Sequence, residues 1–438
     1  MDVYNFISFS GMFVLLGFAW LISADKRNVN WRVVAWGLAL QIFIALFIFV
    51  TPWGAKLFLG LNDIVIRILD SASSGARFVF GRLALGPGQV GSGGESSLGF
   101  ILAFQAFPTI IFFAALISIL YFLNIMPFII KVFAYVFTKL MKISGAESLV
   151  ASSNIFVGIE SMLTVKPHLK DMTCSEFCTI LTVGMATVAS SVLALYVFTL
   201  KSQFPAIAGH LISASLLSAP AALAMSKIIL PEKETPKTLG EHIHPHYEKD
   251  KSFFEAIING ANSGVKMIIG IAALLIAVLG LVALVDLFLS LAGAKINAIF
   301  NLQIEWSLKG LLGYVFYPFT IILGVPVSDA GVISKIIGER AIITEVAAYQ
   351  DLAVVMGNGV LRHSRSAVIA VYALCGFAHL ASMAIFTGGI SALAPSRTCT
   401  IAKVAFRALV AATLACLLTA CVAGTFFRDS SILLGFSS

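Results

Sequence analysis

Eight apolar runs, each about long enough to cross a bilayer as a helix, constrain this chain more than any other feature. A crossing helix needs about 20 predominantly apolar residues. By that measure spans are predicted at Phe6–Ala24, Val33–Val50, Phe100–Leu123, Phe177–Leu200, Ile207–Leu230, Met267–Leu291, Ala367–Ile390 and Val404–Phe427. Hydrophobic residues make up 59% of the chain and charged ones 12%, against about 45–50% and about 25% in soluble domains. The fold class is therefore an all-α polytopic membrane protein, with the lipid bilayer as its first partner. Phe6 to Ala24 has no basic n-region, so it reads as a true span and not as a cleavable signal. A net charge of +7 would suggest a nucleic-acid partner in a soluble protein. Here Lys and Arg in cytoplasmic loops account for it, and no nucleic acid is expected. The six cysteines show no metal-ligand spacing and read as small hydrophobes.

Three apolar regions do not read as simple spans. Thr51 to Leu98 carries Arg67, Arg77 and Arg82, ends in Gly86-Pro87-Gly88 and Gly91-Ser92-Gly93-Gly94, and is taken as an interfacial excursion. Ile125 to Leu169 opens with Lys131, Lys139 and Lys142 among Phe, Val and Leu, the pattern of a helix lying in the interface. Its second part, Ala146 to Pro167, is interrupted by Ser152, Ser153, Asn154, Gly158 and Glu160. A re-entrant hairpin fits it, because non-helical backbone at membrane depth is tolerated only where it lines a protein cavity. Leu308 to Met356 repeats the plan, from an aromatic amphipathic piece through Gly324-Val325-Pro326 to a segment with Glu345 at its middle.

Lys26, Arg27 and Arg32 place the loop 25–32 in the cytoplasm. Lys166, Lys170, the loop 231–251, Arg397, Lys403 and Arg407 then lie on the same side, and both termini face outward. The loop 231–251 also holds His242, His244 and His246, a possible metal site or, more simply, a solvated polar loop.

An internal repeat is the most specific signal. Gly184-Met185-Ala186-Thr187-Val188-Ala189-Ser190 and Gly376-Phe377-Ala378-His379-Leu380-Ala381-Ser382 share Gly-x-Ala-x-aliphatic-Ala-Ser. Each follows a polar-tipped hairpin candidate, and the odd number of crossings between them inverts the second copy. Inverted repeats with discontinuous helices and a midplane site mark secondary transporters. The simpler reading is a pair of small-residue packing helices, which does not explain why both copies have polar hairpins. At such tips helix N-termini offer N–H groups to solute oxygens, and unwound carbonyls can hold a cation. Asn154, Thr187 and nearby carbonyls are hard oxygen donors suited to sodium. Glu160 and Glu345 can accept hydrogen bonds from a polar solute or exchange protons, and Phe377 offers a ring face. A membrane enzyme using Glu160, Glu345 and His379 as acids and bases is disfavoured, since no nucleophile–base pair, metal cluster or phosphate-binding glycine loop accompanies them.

At these residues the chain resembles the concentrative nucleoside transporter family in its short bacterial form with eight spans. The likeness is carried by Ser153-Asn154-Ile155-Phe156-Val157-Gly158, Gly184-Met185-Ala186, Glu345-Val346-Ala347-Ala348-Tyr349, Tyr372 to Ala378, and Gly388-Gly389-Ile390-Ser391-Ala392-Leu393-Ala394-Pro395. It implies a homotrimer in a bacterial inner membrane, two re-entrant hairpins, alternating access of the elevator type, and symport of a nucleoside-like solute with sodium or protons. Apart from the coupling ion no cofactor is implied.

Residue by residue, Asn154, the Val157 carbonyl, Thr187 and the Val188 carbonyl match the sodium site. Glu345 and Ser382 match residues facing the ribose, and Phe377 matches the aromatic beside the sugar. Gly158, Ile159, Glu160 and Val192 complete the expected solute pocket. Two departures fall in that pocket. The family's first hairpin usually reads Gly-Gln-Thr/Ser/Asn-Glu followed by Pro, whereas here Gly158-Ile159-Glu160-Ser161 is shorter, lacks the Gln and has no Pro until Pro167. Loss of one hydrogen-bond partner to a buried base edge costs about 1–3 kcal/mol. Second, His379 stands where the family has an asparagine, and histidine titrates near neutral pH. The implied division is a scaffold region 1–124, a first repeat 125–230, a loop and scaffold span 231–306, and a second repeat 307–438.

Overall fold

The structure is a computed structural model in which residues 2–86, 88–91, 94–246, 250–301 and 304–428 are described. Pro87, Ser92 and Gly93 of the turn-rich stretch lie outside the described residues, as do residues 247–249 of the histidine-bearing loop. No β-strand occurs among the described residues, only two isolated bridges. Helices satisfy their backbone groups internally and so let this much apolar chain cross lipid without stranding them.

Helices α1 (Val3–Leu21) and α2 (Trp31–Val50) are capped by the side chains of Asp2 and Asn30. α3 (Pro52–Phe80) begins with Thr51 as N-cap and proline in its first turn, and runs amphipathically through the predicted interfacial excursion. The short α4 (Leu102–Gln105) continues into α5 (Phe107–Phe122), and α6 (Ile125–Met141) ends where Lys142 turns left-handed at φ 53°. The first hairpin is α7 (Gly145–Asn154) with a return limb, Ile159–Asp171, wound as a 3-10 helix. α8 (Cys174–Ala186) and α9 (Ser190–Leu200) form one span with a break, and α10 (Ile207–Ile229) follows.

The predicted span Met267–Leu291 is the middle of a far longer helix, α11 (Phe253–Phe300). Its 48 residues extend roughly 72 Å, so its ends pass beyond the hydrocarbon layer. Then come α12 (Leu308–Ile322) and the second hairpin, α13 (Val327–Ile342) with α14 (Glu345–Gly357). The predicted span Ala367–Ile390 is not one helix. It is α15 (Ser364–Leu374) and α16 (Leu380–Leu393), interrupted at residues 375–379. α17 (Thr398–Phe426) closes the chain. Seven helical stretches are long and apolar enough to cross a membrane, and the α15–α16 pair supplies the eighth crossing.

Burial divides these elements. Nearly all residues are buried in the most apolar stretches of the α8–α9, α10 and α17 spans, whereas few are buried in that of α11, which presents a largely apolar surface. Small residues set the close contacts. Gly37 of α2 lies under the Pro220 carbonyl of α10, and Gly260 and Gly264 of α11 abut Ala114, Ala115 and Ile111 of α5.

The two hairpins enter from opposite ends. At one end Ala24 N–H donates to the Ile229 carbonyl, Gly145 N–H to Thr238 O, and Arg397 to Met172 O. There the buried Lys227 Nζ lies 2.6 Å from Glu147 of α7 and 3.4 Å from Glu232. At the other end the Arg365 guanidinium donates to the Gly324, Tyr4 and Gly424 carbonyls and to Asn5 and Ser8, tying α1, α15 and α17 to the turn before the second hairpin.

Candidate functional site

The repeated glycines are where the two broken spans meet. A Cβ on Gly376 would lie 2.4 Å from Cys416 Sγ and 2.9 Å from the carbonyl oxygens of Met185 and Ala186. A Cβ on Gly184 would lie 2.4 Å from the Phe386 ring of α16. Close approach of these backbones brings the α8–α9 and α15–α16 interruptions together. The first hairpin docks on the same place, Ser190 N–H donating to the Phe156 carbonyl at 3.0 Å.

On one side of the crossing lies the expected cation set. Asn154 is fully buried; its amide nitrogen donates to the Val150 carbonyl at 3.1 Å and to Ser161 Oγ at 2.7 Å. Its Oδ1 has no partner among the described residues, nor does the buried Ser153 Oγ. An orphaned buried acceptor costs about 1–3 kcal/mol, which a bound cation would offset. Thr187 Oγ1 spends its proton on the Val183 carbonyl at 2.9 Å and keeps its lone pairs. The carbonyls of Val157 and Val188 sit in non-helical backbone beside it. No group of three His, Cys, Asp or Glu side chains gathers as a metal site among the described residues. A cation at Asn154 would thus be held by neutral oxygens, the ligand type of hard ions.

On the other side Glu345 opens α14, with Thr344 as N-cap, and is 1% exposed. Its Oε1 accepts from the Tyr196 hydroxyl at 2.6 Å, and its Oε2 lies 3.0 Å from His379 Nε2. That second pair is in contact but out of line for a hydrogen bond. His379 is itself the N-cap of α16: its Nδ1 accepts from Ser382 N–H at 3.1 Å. A nitrogen that accepts carries no proton, so the capping bond puts the ring proton on Nε2, facing Glu345. The Ser382 hydroxyl completes the cap, accepting from His379 N–H and donating to the Phe377 and His379 carbonyls. The Phe377 ring lies 5.6 Å from the imidazole. Val192, buried and one helical turn before Tyr196, faces the same way.

Direct contacts thus link Tyr196, Glu345, His379, Ser382 and Phe377 into one group, with Val192 a turn from Tyr196, while Asn154 and Thr187 keep to local partners within their own segments. Ile159 of the first hairpin packs its Cδ1 against Gly389 of α16. Glu160 is exposed on the wall of a cavity of about 390 Å³ that Val157 and Gly158 also line, together with Lys166, Tyr121 and Met267. The three histidines of the loop 231–251 are exposed, and two of them have local partners. His242 stacks on Tyr135 at 4.9 Å, and His246 N–H donates to the Thr164 carbonyl at 2.9 Å.

Sequence reasoning missed Tyr196, whose phenol inside an apolar span was a readable sign, since buried Tyr hydroxyls seek partners. It also missed Arg340, fully buried in the last turn of α13, whose guanidinium makes no hydrogen bond among the described residues. A cation in a helix's last turn is favoured by the helix dipole.

Comparison with known proteins gives the family. The profile of the Na+ dependent nucleoside transporter C-terminus matches residues 210–424, that of its N-terminus residues 10–83, and a nucleoside recognition gate residues 103–203. The nucleoside permease NupC of Helicobacter pylori is 35% identical over 96% of this chain and 98% of its own. The mouse solute carrier family 28 member 3 is 38% identical over 96% of this chain, and the chain spans 58% of that relative's length. Among solved structures, CNTnw in an inward-facing substrate-bound state superposes with a TM-score of 0.83 at 32% identity, covering 96% of this chain and 98% of that one. A CNTnw variant in an intermediate state gives 0.86 at 31%, covering 98% and 100%.

Proposed function

The chain belongs to the concentrative nucleoside transporter family, and from that premise we propose that it is a secondary active symporter importing nucleosides or nucleoside-like solutes with sodium. The observation that supports this reading is a buried Glu345 carboxylate held by the Tyr196 hydroxyl at the meeting of the two broken spans, in a chain that also buries an orphaned neutral oxygen on Asn154. A carboxylate offers about four acceptor positions. Tyr196 and His379 address two of them, which leaves positions for a vicinal diol such as that of ribose. Phe377 supplies an apolar face for the sugar. Ile159, packed on Gly389, offers a base no hydrogen bond, so base preference is set elsewhere on the wall.

Coupling follows from adjacency. A cation at Asn154, Thr187 and the Val157 and Val188 carbonyls would pin the unwound backbone whose neighbours Gly158 and Val192 face the solute. Ion and solute would then each favour the same arrangement of the breaks, and their binding would be mutually strengthened by linkage. In this reading the hairpins with α8, α9, α15 and α16 move against a scaffold of residues 1–124 and α11. The exposed apolar face of α11 is covered by two further copies in a homotrimer, and the assembly lies in a bacterial inner membrane with both termini outside.

A thermal-shift screen of uridine, adenosine, inosine and modified nucleosides in sodium and in potassium tests the reading. A ligand at a hundredfold excess over Kd contributes about 2.7 kcal/mol to stability. The expected result is a nucleoside-dependent rise in Tm that is larger in sodium and loses that difference in Asn154→Ala. No shift with any nucleoside would count against it. The imidazole against Glu345 favours one second reading, proton coupling through His379 with Glu160 on the exit wall. Uptake driven by a pH gradient without sodium would select it.

A further inference from the structure

A second cavity, of about 790 Å³, lies at the end of the molecule where α9 finishes. Its size is within the range of small-molecule sites, about 300–1,000 Å³. One wall is α3 with the segment that follows it. The other is the end of α9 with the second half of α14, so the cavity lies between the proposed scaffold and the proposed moving part. Four carboxamides line it, Gln89, Gln203, Gln350 and Asn358. Gln89 Oε1 accepts from Arg77 at 2.9 Å and from Gly86 N–H at 3.1 Å, and Gln203 Oε1 accepts from Ser202 at 2.6 Å. With both oxygens engaged, these two amides present N–H donors. Phe100 and Phe198, also on the wall, hold their rings 6.2 Å apart at 32° to each other. The charges at the rim are paired across the two walls, Lys201 Nζ lying 3.3 Å from Asp70.

We propose that this cavity is a capture site for nucleosides, occupied before the solute reaches Glu345. A nucleobase has an apolar face and an edge of ring nitrogens and carbonyls. Aromatic rings bind the face of any base by stacking, and carboxamides match an edge that carries a donor beside an acceptor. Lys201 and Asp70 neutralise each other at the rim, and the Arg77 guanidinium is turned onto Gln89, so the lining is made of amides and rings with one guanidinium among them. The central group lacks such an amide, because Ile159 stands in the first hairpin. Base discrimination accordingly lies here, and sugar recognition lies at Glu345. The inference rests on the reading of the chain as a nucleoside carrier, and adds to it a second site and the chemistry of its ligand.

The test is equilibrium binding of tritiated adenosine and uridine to the full-length protein in nanodiscs with sodium, together with uptake into proteoliposomes. The wild type is expected to bind two nucleosides per chain. Gln350→Leu and Phe198→Leu should each bind one, and should raise the KM of uptake at least fivefold while kcat falls less than twofold. Glu345→Gln should lose uptake yet keep one bound nucleoside, and Tm values of the variants within a few degrees of wild type would establish their folding. One nucleoside per chain in the wild type, with KM unmoved in the two outer variants, overturns the capture site and leaves the carrier reading standing. No nucleoside bound by the wild type overturns both.

Discussion

Glu345 and His379 define the chemistry at the scale of single residues. A buried carboxylate persists only when polar partners replace its hydration; the Tyr196 hydroxyl donates to Glu345, and the His379 imidazole lies in contact with it, before any solute arrives. Glu345→Gln keeps the shape and removes the charge. With hydrogen bonds to charged groups contributing about 1.5–3 kcal/mol, kcat/KM for uptake should fall by roughly 10–100-fold, read from initial rates in proteoliposomes, with Tm nearly unchanged. His379 has a separable structural duty as the N-cap of α16. His379→Ala should lower Tm, because loss of a cap costs about 1 kcal/mol. His379→Asn should keep Tm, since asparagine is among the best caps, while changing the pH profile of uptake. Equal Tm losses in the two variants would mean that the imidazole holds more than the cap.

Among elements, the interrupted spans and the hairpins carry the account. Gly376 and Gly184 let the two breaks cross at backbone contact. Gly376→Val would force the spans apart, at the 1–3 kcal/mol typical of overpacking, and should lower both Tm and uptake; an unaffected Tm would show that the crossing is loose. At the base of the first hairpin, Lys227→Met would strand Glu147 without its buried partner. Breaking such a pair costs about 3–5 kcal/mol, and adding Glu147→Gln should recover most of the lost stability in a double-mutant cycle. Much of this level was legible in the chain. Apolar run length gives all eight crossings, and Gly-x-Ala-x-aliphatic-Ala-Ser marks both breaks. Periodicity could not reveal that residues 375–379 are unwound, because an apolar stretch reads the same whether or not helix is continuous. Nor could it set the length of α11, whose ends at Phe253 and Phe300 outrun the hydrophobic window used to find it.

Over the whole molecule, the two hairpins enter from opposite ends, and the two broken spans that follow them meet at Gly376. Asn154 and Glu345 are 191 positions apart in the chain and were linked beforehand only through the repeat. Tyr196 and Arg340 were not, because what they touch depends on three-dimensional neighbours with no sequence spacing in common. Glu160 was legible as a polar residue at a hairpin tip but not as a wall residue of the cavity between α5 and α11. The central claim is that solute movement is coupled to sodium across this crossing. Uptake of labelled uridine, adenosine and inosine into proteoliposomes, with and without an inward sodium gradient, tests it most directly. Accumulation of at least one nucleoside above the outside concentration is expected, abolished by a sodium ionophore and by Asn154→Ala. Equal final levels of every nucleoside with and without the gradient would contradict it.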